Sequence, residues 1–182
     1  GGLAGRVPSD AAVYRIDAGL ERERGRWRVV AARWRALSPE EVAVLAALAD
    51  RLVPERPGWP RPHDVGLARR VDEVVAALPA ASRREIGRLL RLLENALAAF
   101  VLDGQLRTFT DSSPEQQDAR LRAWQTSRHR LRRSGFRALK KLVYGAYYGA
   151  AATWPAIGYP GPPRVSAPAT AEAPEQAVAE EE

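Results

Sequence analysis

Ser38-Pro39-Glu40-Glu41 opens the stretch SPEEVAVLAALADRLVP at residues 38–54, and this stretch decides the fold class. The serine hydroxyl can accept from the third helical amide, the proline suits the first helical position, and Glu41 can return a bond to the serine amide. Behind that start, Val42, Leu45, Ala49 and Leu52, with Leu48 and Val53 alongside, recur at helical spacing until Pro54 stops the run. The stretch is therefore a helix with a face built for a core.

Working outward, the same grammar repeats. Residues 54–62 hold four prolines and form an ordered or extended loop. Asp64 is placed to cap a second helix carrying Leu67, Val71, Val74, Val75 and Leu78 up to Pro79. Ser82-Arg83-Arg84-Glu85 reads as a capping box for a helix with Ile86, Leu89, Leu90, Leu93, Leu97, Phe100 and Val101, ended by Gly104. Ser113-Pro114-Glu115-Gln116 opens a shorter helix with Leu121 and Trp124. An arginine-rich helix from about Ser127 carries Leu131, Leu139, Leu142, Val143 and Tyr147. Upstream, residues 1–36 read as an irregular arm with a short helix near 26–36. No useful stretch alternates with period two, so the fold class is all-α. Residues 37–163 form the helical domain, and the acidic Pro/Ala/Glu stretch 164–182 is expected to be a disordered tail.

Composition narrows the chemistry. The 182 residues are 46% hydrophobic, enough for one domain with a core and no staples. The chain has no cysteine, which excludes disulfides, thiolate metal sites and cysteine nucleophiles. Only His63 and His129 are available as imidazoles, so a histidine metal cluster is not expected. Glu40/Glu41 and Asp72/Glu73 are adjacent pairs, which diverge by about 100° on a helix and cannot converge as an acid/base pair. There is no Gly-x-Gly-x-x-Gly, phosphate loop or nucleophile elbow. The residues describe no self-sufficient enzyme. No run approaches a membrane span, and the absence of methionine implies a processed or cut N-terminus.

The net charge of +6 is concentrated: seven arginines and two lysines lie between Arg120 and Lys141. Such a run can release counterions from nucleic-acid phosphates, form a solvated helix face, or pair with an acidic protein. It lacks a helix-turn-helix glycine pattern and interleaved aromatics. After Tyr148 the chain turns uncharged, aromatic and proline-locked over Gly149 to Pro163. That segment is too rich in Gly and Pro for a helix and too apolar for a solvated linker, so it should dock on something.

The block Leu142-Val143-Tyr144-Gly145-Ala146-Tyr147-Tyr148, followed by Trp154-Pro155-Ala156-Ile157-Gly158-Tyr159-Pro160-Gly161-Pro162, resembles the closing motif of the gluconate 2-dehydrogenase subunit 3 family. Leu37 to Glu41, Leu48 to Pro54 and Phe109 to Trp124 are similar to that family in the same order, so the likeness spans about residues 37–163. The family places a small polar and an acidic residue after the tyrosine pair, where this chain has Gly149 and Ala150.

The resemblance implies an all-helical, non-catalytic small subunit that serves the stability, maturation or export of a large glucose-methanol-choline type oxidoreductase. That partner would hold the FAD and oxidise a sugar or alcohol hydroxyl; no cofactor is implied for this chain, and a cytochrome c subunit is a further implied partner. It also implies a membrane-associated or periplasmic complex with twin-arginine co-export, although no such signal stands in this chain and a cytoplasmic location stays open. The partner contact is expected on Tyr147, Tyr148, Trp154, Ile157 and Tyr159, with Gly158 and Pro160 of the same segment and Trp59 of the Pro-rich loop. The alternative for the tyrosines is packing on the chain's own helices. The rival function is an arginine-rich nucleic-acid-binding module.

Overall fold

The computed structural model describes residues 14–17, 19–23, 26–29, 33–95 and 107–162. It is a mostly helical compact domain with one small sheet. In chain order come β1 (Tyr14–Asp17), β2 (Leu20–Glu23), β3 (Arg26–Val29), α1 (Pro39–Leu52), α2 (Leu67–Ala77), α3 (Ala80–Glu94), α4 (Pro114–Thr126) and α5 (Arg130–Tyr148). Two 3₁₀ turns, Ala151–Thr153 and Pro155–Ile157, follow α5.

The expected helix near 26–36 is not formed: Arg26–Val29 is a strand. It pairs antiparallel with β2, which pairs with β1, in the order β1-β2-β3. Trp27 is buried between exposed Arg26 and Arg28, so the operative period is two, not the 3.6 of the expected helix. Trp27 packs its strand on α1, and a four-residue alternation of that kind is too short to stand out in the sequence.

Helix α1 is the centre of the domain. It contacts β3, α2 and α3, and its buried residues run round nearly the whole circumference from Glu41 to Ala49. The capping box is complete: Ser38 Oγ accepts from the Glu41 amide at 3.2 Å, and Glu41 Oε2 accepts from the Ser38 amide at 2.9 Å. The Glu41 carboxylate lies so close to α3 that a Cβ on Gly87 would sit 2.5 Å from its Oε1. Asp72 of α2, 3% exposed, accepts from the amides of Arg35, Ala36 and Leu37 at 2.7, 2.9 and 2.9 Å, and so fixes the approach to α1.

Two expected caps are corrected. Asp64 does not cap the second helix, whose N-cap is Gly66 with φ +63°; Asp64 instead accepts from the Arg61 amide at 3.0 Å. Ser82 does not open α3, which starts at Ala80 behind Pro79 because two alanines there already favour helix. The box at Ser113 forms as expected, with Gln116. Leu131, placed on the apolar stripe by its spacing, is 58% exposed, and Phe136, Leu139, Val143 and Tyr147 take the core instead. The continuation of the third expected helix past 95, the start of the arm and the tail over 164–182 lie outside the described residues.

Candidate functional site

The C-terminal end of α5 meets the Pro-rich loop. Tyr144 Oη donates to the Leu52 carbonyl at 3.1 Å, and Tyr147 Oη donates to the Pro60 carbonyl at 2.7 Å. Tyr147 is fully buried, and burial raises the pKa of its hydroxyl, with Tyr148 adding and Arg56 opposing. Its ring meets Tyr148 edge-on at 5.1 Å.

Beyond Tyr148 the chain folds back as a cap. Thr153 is fully buried, and its Oγ1 lies 2.8 Å from the carbonyl of Ala150 and 3.2 Å from that of Tyr147. Trp154 Nε1 donates to the Tyr148 carbonyl at 3.2 Å. These bonds occupy carbonyls that a helix C-terminus otherwise leaves open. Trp154 then meets Tyr159 edge-on at 5.4 Å, and the Tyr159 amide returns to the Trp154 carbonyl at 3.0 Å. The tight return needs Gly158 at φ +66°, and Gly161 takes φ +102° just beyond it. A Cβ on Gly161 would lie 3.1 Å from the Trp154 ring.

The expected contact residues are thereby sorted. Tyr147 belongs to the chain's own core, while Trp59 and Trp154 are half-buried. Tyr148, Ile157 and Tyr159 are 40%, 43% and 43% exposed, and Gly158 and Pro160 are exposed beside them. Five large hydrophobic residues are exposed among the described residues, and three of the five stand in this one segment. The structure also ties the two sequence-distant candidates together, because Tyr147 joins the neighbour of Trp59 to the base of the cap.

The basic run is partly internal. Arg120 is 2% exposed and donates to the carbonyls of Leu93 and Arg107. Arg132 is buried over the Trp124 ring, Arg133 donates to the carbonyls of Ser127 and Arg128, and Lys140 lies on Tyr144. Three of the nine charges, Arg120, Arg132 and Arg133, are thus buried or bonded to carbonyls of this chain, which weakens any phosphate-binding row built on the run.

A polar hub escaped the sequence reading. Asp50 Oδ2 accepts from Trp27 Nε1 at 2.8 Å, Asp50 Oδ1 lies 2.7 Å from His63 Nε2, and Arg22 stands 3.9 Å away. Trp27 and His63 also pack ring on ring with centroids 3.8 Å apart. Burial pushes the Asp50 carboxyl up, but the His63 hydrogen bond and charge, the Trp27 bond and Arg22 together hold it below its ordinary value. The hub clasps the β-ribbon to α1 and to the end of the Pro-rich loop, so His63 is a structural partner. Its one sequence signal was an acidic residue in the last turn of a helix, where the dipole disfavours it.

No described helix is long and apolar enough to cross a membrane. Among the described residues no three His, Asp or Glu side chains gather as a metal site. A family model described as gluconate 2-dehydrogenase subunit 3 matches residues 39–161. No curated protein and no solved structure matches the chain.

Proposed function

The chain belongs to the gluconate 2-dehydrogenase subunit 3 family, and from that premise we propose that it is the non-catalytic small subunit of an FAD-dependent dehydrogenase oxidising a sugar or alcohol hydroxyl. Its partner is a large glucose-methanol-choline type flavoprotein that holds the FAD, and the small subunit serves that partner's stability, maturation or export. Co-export with the folded flavoprotein and a cytochrome c subunit in the same assembly belong to this reading.

One observation carries it: the end of α5 and its self-anchored cap together present Tyr148, Ile157 and Tyr159 to solvent. A monomer with no partner gains nothing from holding three large apolar side chains outward on a segment locked by Thr153, Gly158 and Gly161. Such a segment binds with little further ordering, and tyrosine is a frequent interface anchor.

The test is to express the tagged full chain together with the large flavoprotein and isolate the complex. A stoichiometric complex with flavin absorbance and dye-linked oxidation of a sugar or alcohol is expected, with neither property in the isolated chain. Stoichiometric FAD binding by the isolated chain, or a complex free of flavin, would overturn the reading.

A further inference from the structure

The Pro-rich loop carries a surface distinct from the cap. Glu55, Arg56, Pro57, Trp59 and Arg61 line an open groove of about 490 Å3. Prolines at 54, 57, 60 and 62 fix φ along this loop. Gly58 turns it at φ +78°, and two bonds close it: Trp59 amide to Arg56 carbonyl at 3.1 Å, and Arg61 amide to Asp64 Oδ2 at 3.0 Å. The groove is shaped before anything enters it.

Its charges are unequal. Arg61 is committed to Glu55 at 3.5 Å and to Asp64 at 3.4 Å. Arg56 lies over the Trp59 ring, 5.6 Å from its centroid, and among the described residues no carboxylate stands within ion-pair distance of it. A guanidinium resting on an indole keeps its N–H edge free, and that planar fork matches the two oxygens of a carboxylate. Trp59 supplies an apolar wall beside it. The Tyr147 to Pro60 bond places this groove at the same end of the molecule as the cap.

We propose that the groove receives a carboxylate-bearing segment of the flavoprotein, with an aspartate, glutamate or chain-end carboxylate on Arg56 and an adjoining apolar group against Trp59. The inference rests on the accessory-subunit reading and adds a second contact with its chemistry. The cap supplies apolar area, and the Arg56 fork fixes register and speeds encounter.

The experiment measures dissociation constants for the full chain and its flavoprotein across a sodium chloride series, with Arg56→Ala, Arg56→Lys, Arg56→Glu and the cap variant Tyr159→Ala. Arg56→Ala is expected to weaken binding at least tenfold at low salt and Arg56→Glu at least a hundredfold, with Arg56→Lys between wild type and alanine. Salt should weaken the wild-type complex more steeply than the Arg56→Ala complex. Unchanged affinity for every Arg56 variant beside a weakened Tyr159→Ala overturns the groove contact and leaves the accessory-subunit reading standing. A weakened Arg56→Ala with the wild-type salt slope overturns the carboxylate assignment. Failure of the wild-type chain to bind the flavoprotein at any salt overturns both readings.

Discussion

Tyr147 Oη donates to the Pro60 carbonyl at 2.7 Å, joining the last turn of α5 to a loop 87 residues earlier in the chain. The bond holds the Pro-rich loop against the helix that carries the cap. It lets a fully buried tyrosine satisfy its hydroxyl at the edge of the core, where burial alone would penalise it. Tyr147 is therefore the support of the surface, while Tyr148 beside it is part of the surface.

Tyr147→Phe keeps the ring and deletes the bond. The free chain should lose about 1–2 kcal/mol, the range for an unsatisfied carbonyl that retains some access to water. That corresponds to a fall of a few degrees in Tm, read by circular dichroism. A variant that melts with wild type would mean that the loop is held without this bond.

Asp50 gives a pH signature with a defined sign. Its folded pKa lies below its ordinary value of 3.8, so its stabilisation is present above that value and is lost as the pH falls through the lower folded value. Asp50→Asn should destabilise the chain near neutral pH by roughly 1–3 kcal/mol. The gap between variant and wild type should narrow below about pH 4 in urea melts. A gap that stays constant down to pH 2 would show that the carboxylate charge contributes nothing to the clasp.

The cap has two parts with opposite expected behaviour. Ending the chain at Tyr148 removes buried Thr153 and Ala150 and uncovers the α5 carbonyls, so the free chain should melt several degrees lower. Tyr159→Ala or Ile157→Ala should leave Tm within a degree or two and weaken the complex by about 2 kcal/mol if these are central anchors. A large Tm loss for Ile157→Ala would assign that side chain to the chain's own stability.

The basic run should give no specific nucleic-acid affinity, because Arg120 and Arg132 are buried and Arg133 caps a helix end. Each phosphate neutralised would add about −0.9 to the log–log salt slope. A gel shift of duplex DNA at nanomolar protein and physiological salt, with a steep slope, would favour the rival function.

Local instructions strong enough to act alone can be read straight from the residues. The boxes at Ser38 and Ser113, the stop at Pro54 and the loop over 54–62 are readable because cap, breaker and period agree there, whereas period alone marks the apolar stripes of α2, α3 and α5, and it places on them Val74 and Leu131, which are exposed. The closing aromatic block was likewise legible as a non-helical segment set apart from α5, from its prolines and glycines, and the structure folds it back on the end of that helix.

The remainder depended on contacts between distant parts of the chain. Trp27 lies in a strand because α1 offers it a buried place, and a four-residue alternation carries no signal without that neighbour. Asp64 and Ser82 both match a cap pattern, yet the loop turn claims one and the Ala80–Ala81 start pre-empts the other. The Asp50, His63 and Trp27 hub joins residues up to 36 positions apart, and the division of Tyr147 from Tyr148 depends on which face α5 turns inward. Each outcome rests on long-range burial, and burial is settled by which surfaces meet once the chain has closed on itself.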